Sequence, residues 1–165
     1  MKILPRFLLL IVVLTVVACV STTPDGKIIK EDKKEVVEDL KIIQSWSGDF
    51  PVAKLNVLPK GQERLPAGYI GDAATFKRVW EVFSPGTPVP EVNFEDHIVV
   101  FGRNTQFYNR TTIFKVTLNK GVAEILAMAT MSANPIQDKV AISMAVVPKA
   151  GVQSIFTAGT NLPVE

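Results

Sequence analysis

Apolar and polar positions divide the chain into segments of different character. Residues 3–20 form a near-continuous apolar run, broken only by Pro5, Arg6 and Thr15. Residues 20–35 are polar: Ser21-Thr22-Thr23-Pro24-Asp25-Gly26 is rich in turn formers, and Lys30-Glu31-Asp32-Lys33-Lys34-Glu35 is a charge run of balanced sign. This stretch reads as a tether, with a short helix through Ile29, Val36, Leu40 and Ile43 as the alternative that spacing allows. Apolar positions then return at strand spacing. Residues 40–46 read as a first strand, Ser47-Gly48-Asp49 as a turn, and residues 50–58 as a second strand. In that second strand Val52, Leu55 and Val57 oppose Lys54 and Asn56, and Pro59-Lys60-Gly61 closes it. Tyr69-Ile70 forms a short segment flanked by glycines.

The period changes once. Phe76, Val79, Trp80 and Phe83 fall at i, i+3, i+4 and i+7, one apolar stripe on a helix, with Lys77, Arg78 and Glu81 opposite. Asp72 is placed to cap the first turn, and Pro85-Gly86 ends the helix, so a helix over about 72–83 is predicted. Strand patterns resume afterwards. His97-Ile98-Val99-Val100-Phe101 has the run of a buried strand, and residues 102–110 form a polar loop that carries Phe107 and Tyr108. Residues 111–118 alternate, with Ile113, Lys115 and Thr117 on one face and Thr112, Phe114, Val116 and Leu118 on the other. Asn119-Lys120-Gly121 is a hairpin turn with glycine supplying positive φ. Residues 122–131, 139–147 and 152–156 complete the strands, separated by Asn134-Pro135 and Pro148-Lys149-Ala150-Gly151. Strands at this spacing, with tight turns and one helix, predict a mainly β fold: an antiparallel sandwich or open barrel over residues 36–165 with the helix packed on it.

Charge changes the reading of the first segment. The chain has 165 residues and a net charge of +2, from 18 basic and 16 acidic side chains. Lys2 and Arg6 precede the apolar stretch that starts at Phe7, and setting them aside leaves 16 against 16. The pI of 8.7 therefore marks no basic footprint for nucleic acid. Lys2 and Arg6 form a positive n-region before an apolar h-region at residues 7–17. That run is too short for the ~20 residues of a spanning helix and suits a secretory signal. Its end, Val16-Val17-Ala18-Cys19, resembles the lipobox of bacterial lipoprotein precursors. The resemblance implies a signal peptide over residues 1–18, a diacylglyceryl group on the Cys19 thiol and usually acylation (palmitate among the acyl groups) of the new amino terminus. Two or more acyl chains make a lasting membrane anchor where one does not. Cleavage there would leave 147 residues with no free thiol, since Cys19 is the one cysteine. The 16 residues of tether could span at most about 50 Å. In that lipoprotein family an Asp after the Cys marks retention in the inner membrane in enterobacteria-like sorting. Val20 stands there, which implies the outer membrane of a bacterial cell envelope.

Candidate chemistry is sparse. The single histidine, His97, follows Glu95-Asp96 at the mouth of a strand, where neighbouring side chains point to opposite faces. A small envelope hydrolase using His97 with Glu95 or Asp96 is the enzymatic alternative, and a satisfied strand-edge histidine is the plainer one. The sequence shows no G-x-S-x-G elbow, no zinc-ligand spacing and no phosphate-binding glycine loop. No catalytic residue, cofactor, metal or nucleotide is expected. Met128, Met131 and Met144, beside Leu126, Ala127, Ile142 and Val146, read as core filling. What remains is surface: Phe107, Tyr108 and Arg110 in one loop, with Tyr69 a weaker candidate, are residue types enriched at protein interfaces.

Several patches resemble the PrcB-like C-terminal domain family. Phe76-x-x-x-Trp80, then Pro90-Glu91-Val92-Asn93-Phe94, then an apolar strand through Phe101 are similar to its pattern, with Asn93 where that family usually has Asp. Val147-Pro148-Lys149, Gly151-Val152-x-Ser154-Ile155 and Leu162-Pro163 extend the resemblance over residues 40–163. Arg103-Asn104-Thr105-Gln106 stands where the family has a glycine-rich strand start. The resemblance implies a non-catalytic lipoprotein subunit that associates with a protease complex at the cell surface or in the periplasm. A lipid-anchored binding module with a protein partner is thus the expected function, and a module holding a small ligand in its sheet is a further alternative.

Overall fold

In the computed structural model, residues 37–165 are described. The expected signal peptide, Cys19 and the tether over 19–35 lie outside them. Strands β1 (Glu38–Leu40), β5 (Thr111–Asn119), β6 (Val122–Ala129), β8 (Ser154–Thr157) and β9 (Thr160–Pro163) form one sheet in the order β1-β5-β6-β8-β9. Strands β2 (Gln44–Pro51), β3 (Ala67–Ile70), β4 (His97–Arg103) and β7 (Lys139–Pro148) form the other in the order β2-β7-β4-β3. Helix α1 (Ala73–Phe83) covers the outer face of the second sheet. Among the described residues the fold is mainly β, two sheets and one α-helix without barrel closure. Pairing is antiparallel except between β6 and β8, which run parallel.

The second sheet is apolar on both faces, and that explains the unbroken runs in its central strands. Ile98, Val100, Ala145 and Val147 face the first sheet, where they meet Ile113, Val116, Ala123 and Ile155. Val99, Phe101, Val140, Ile142, Met144 and Val146 face outward and are covered by Phe76, Val79 and Trp80 of α1. Trp46 seals this second core, its ring 5.2 Å from Trp80 and 5.8 Å from Phe76. Asp72 caps α1 as the sequence predicts, its carboxylate accepting from the Thr75 N–H at 2.8 Å.

Five expectations are corrected. Ser47-Gly48-Asp49 is no turn but the middle of β2, because a Cβ at Gly48 would stand 3.1 Å from the Phe83 ring, and the missing side chain makes room for that ring. The strand expected over 40–46 is instead two strands, with β1 in one sheet and β2 in the other. Leu40 in β1 also ends the helical alternative in this region. The strand expected over 50–58 becomes a 3₁₀ helix, Val52–Val57, since the partner strand β7 begins at Lys139 opposite Pro51 and no strand is paired beyond it. A bulge between Ile113 and Lys115 flips the alternation of β5, so Phe114 turns out to half exposure while Thr111, Ile113, Val116 and Leu118 face inward. Finally, Ala158 and Gly159, both at positive φ, turn the chain back into β9, a hairpin the sequence reading lacks.

Ser143 ties the two sheets together. It is fully buried; its Oγ accepts from the Ile113 N–H (3.0 Å) and from Ser47 Oγ (2.9 Å), and donates to the Trp46 carbonyl (3.3 Å). On the edge strand β3, Gln62 Oε1 accepts from the Tyr69 N–H at 2.8 Å. Gly68 lies against that amide: a Cβ there would meet Gln62 Oε1 at 2.2 Å and the Phe101 ring at 2.6 Å.

Candidate functional site

The loop between β4 and β5 is built by its own polar side chains. Asn104 Oδ1 accepts from the N–H groups of Gln106 and Phe107, both at 2.8 Å, which bends the chain back. The loop then zips against residues 130–136. Phe107 bridges to Pro135, the Tyr108 N–H donates to the Asn134 carbonyl (2.9 Å), and Arg110 and Thr130 exchange bonds of 2.9 and 3.0 Å. Asn109, buried, accepts from the Ser132 N–H at 2.8 Å. Phe107, Tyr108 and Arg110 are therefore presented from a fixed layer.

Tyr108 leans over the end of β2. Its hydroxyl donates to Asp49 Oδ1 at 2.5 Å, and Lys139 Nζ lies 2.7 Å from Asp49 Oδ2 and 5.3 Å from the Tyr108 ring centroid. Asp49 and Lys139 come from paired strands, Asp49 opposite Ala141 and Lys139 two residues before it. The hydrogen bond from Lys139, and then that from Tyr108, hold the Asp49 carboxyl below the usual carboxylate range, with the Arg110 charge adding to the effect. Asp49 in turn raises the Lys139 ammonium above its ordinary value. Two depressions flank this group. One, of about 260 Å³, is bounded by Tyr108, Pro135 and Lys139. The other, of about 490 Å³, is bounded by Ser47, Asp49, Arg110 and Thr112. The corner thus offers a fixed aromatic ring, an exposed guanidinium and a buttressed ion pair to a partner surface.

The other sequence candidates lie elsewhere. Tyr69 is in the core between the sheets, and its hydroxyl accepts from the Glu165 N–H at 3.0 Å, so it is no surface contact. His97 Nδ1 lies 3.1 Å from the Asn93 carbonyl, and the Asp96 carboxylate accepts from Asn93 Nδ2 at 2.9 Å. Asn93 thus contacts both His97 and Asp96, one of the two carboxylates considered with it. Met144 is fully buried, as core filling requires, but Met128 and Met131 are exposed, because β6 beyond Leu126 leaves the sandwich. Among the described residues no three His, Cys, Asp or Glu side chains are grouped to hold a metal ion, and no helix is long and apolar enough to cross a membrane. Asp49 and Lys139 escape sequence reading: they are 90 residues apart, and only the β2–β7 register brings them to Tyr108.

Comparison with known proteins finds no matching family model, no matching curated protein and no matching solved structure.

Proposed function

We propose that this chain is a lipid-anchored binding module of the bacterial cell envelope, non-catalytic, whose protein partner docks at the corner formed by Phe107, Tyr108 and Arg110. The observation that carries the reading is the double contact at Asp49, where Tyr108 and Lys139 both hold one carboxylate. An aromatic ring fixed in this way loses little freedom on binding, which is how recognition residues gain affinity. Tyr and Arg are also the residue types that dominate interface hot spots. The anchor rests on the lipobox-like Val16-Val17-Ala18-Cys19, and a protease complex as partner rests on the resemblance of the tryptophan-bearing helix and the segment around Asn93.

The test is a paired comparison in one co-purification and phenotype assay. Replacing Tyr108 and Arg110 together by Ala should weaken recovery of the partner tenfold or more, a loss of about 1.4 kcal/mol, while His97→Ala changes nothing. The opposite pattern, with His97→Ala abolishing function and the loop variant active, would replace this reading with the hydrolase. For the anchor, Cys19→Ala should abolish lipid modification, read by mass spectrometry of membrane-extracted protein; a lipidated Cys19→Ala product would overturn it.

A further inference from the structure

Strand β6 changes neighbours along its length. At its start it runs parallel to β8 through Val122–Ser154 and Ala123–Ile155. There β8 departs towards the other sheet, where Thr157 Oγ1 accepts from the Ala67 N–H at 3.2 Å and donates to the Ala67 carbonyl at 2.8 Å. From Glu124 to the end of β6, β5 remains on one side, and among the described residues no strand lies on the other. The two-residue loop makes Asn119–Val122 the pair that exchanges both bonds. By alternation, Ala123, Ile125, Ala127 and Ala129 aim their N–H and C=O groups away from β5. β8 meets those of Ala123. Those of Ile125, Ala127 and Ala129 border a cleft of about 330 Å³, whose walls include the small residues Ala67, Gly102, Ala127, Ala129 and Ala158.

At two other unpaired strand positions a side chain takes the amide. Gln62 takes the Tyr69 N–H of β3, and Ser143 takes the Ile113 N–H of β5. Among the described residues the β6 edge has no such cap, and its sequence, Glu124-Ile125-Leu126-Ala127-Met128-Ala129, has neither the Lys nor the Pro that commonly guards an edge. We infer that this cleft receives an extended segment of a partner peptide, which pairs with β6 in the lane β8 vacates. A row of free backbone donors and acceptors at strand spacing matches only an extended backbone. Ala67, Phe156 and Ala158 line the cleft together with Ile125, Ala127 and Ala129, so an added strand would lie in a walled cleft and not along an open edge. Glu124 lies at the β8 end of the cleft, while the Arg103 guanidinium is committed to the carbonyls of Glu63 (2.5 Å) and Leu65 (3.1 Å). Arg103 is buried and Glu124 exposed, so the accessible charge of the cleft is that of Glu124, and the peptide it fits carries small or apolar side chains at alternate positions and a basic residue opposite Glu124. Thr111 borders both this cleft and the larger depression of the corner, but Tyr108, Arg110, Asp49 and Lys139 are absent from the cleft, so either surface can fail without the other.

The probe is a fluorescent octapeptide of alternating Val and Thr ending in Lys, compared with the same peptide N-methylated at alternate residues, titrated into the full chain. The unmodified peptide should bind, and N-methylation should weaken it tenfold or more. Ala127→Pro removes an amide that faces the cleft and spares the ladder to β5, so it should weaken binding by a similar factor with the circular dichroism spectrum unchanged. Should that variant unfold, the N-methylated peptide still decides. The Tyr108→Ala/Arg110→Ala variant should bind the peptide as the wild type does. No binding up to about 1 mM, equal binding of the N-methylated peptide, or a wild-type dimer in sedimentation that Ala127→Pro dissociates would each overturn the inference, the last by making a second copy the occupant.

Discussion

Ser143 shows how much a single polar atom can be asked to do. Its Oγ closes three hydrogen bonds across two sheets, and one of them relieves an amide that the β5 bulge leaves without a strand partner. Ser143→Ala should cost about 1–3 kcal/mol, because the Ile113 N–H would stay buried without an acceptor; a shift in the urea midpoint measures it, and an unchanged midpoint would show that water or Ser47 takes over. Two carboxylates give a pH signature. Asp72 is held below the usual carboxylate range by the backbone N–H of Thr75, and Asp49 by Lys139 and then Tyr108. The native state therefore binds these protons less tightly than the unfolded chain does. Their contribution is fully present above the unfolded value of about 3.9 and is lost as pH falls through the lower native values. Urea midpoints should hold steady from about pH 7 to 5 and fall below about pH 4, and Asp49→Asn with Asp72→Asn should flatten that fall. Of the candidate site, the residue types of Phe107, Tyr108 and Arg110 were legible because a polar loop with aromatics between apolar strands is visible in one line of sequence. Asp49 and Lys139 were not, since a surface pair between strands leaves no local pattern. Tyr69 misled for the same reason: the strand that buries it, and the Glu165 amide that meets its hydroxyl, are distant in sequence.

Among the elements, α1 is the one whose sequence states everything: cap, apolar stripe and end signal all lie within residues 72–86, and the helix forms where they say. Trp80 is buried by Trp46, Phe76 and Phe83, and its Nε1 donates to Thr87 Oγ1 at 3.1 Å. Trp80→Ala should cost about 3–5 kcal/mol, and Trp80→Phe distinctly less; thermal unfolding separates the two, and a loss under about 1 kcal/mol for the alanine would show that the second core does not depend on this ring. The strands were legible where both faces are buried, as in β4 and β7, since an unbroken apolar run needs no register to be recognised. They were misread where a neighbour decides the outcome. Gly48 and Asp49 look like a turn until Phe83 of α1 is placed over the glycine, and Phe114 looks inward-facing until the bulge adds its extra residue. The two-residue turns Lys120-Gly121 and Ala158-Gly159 share one geometry, a non-glycine residue and then a glycine at positive φ, and the sequence reading takes up only the first.

For the whole molecule, the decisive pairing joins the first third of the described chain to its last: β2 lies on β7 from Gln44–Val146 to Pro51–Lys139, and β4 lies on the other side of β7. The second sheet therefore has no centre without β7. A chain ending at Asp138 should lack both cores and show neither protease resistance nor near-ultraviolet ellipticity, although α1 and the β5–β6 hairpin are intact in its sequence; a folded truncated chain would refute the dependence. Contacts this far apart in sequence also slow folding, because the intervening loop must close before they are rewarded. As the polypeptide is made from its amino end, Trp46 and Phe50 must wait for nearly a hundred further residues before their strand acquires a neighbour. During that wait the apolar residues of β2 and β4 are available to anything that holds unfolded chains, so the order in which this sequence is written keeps it thread-like until synthesis is almost complete.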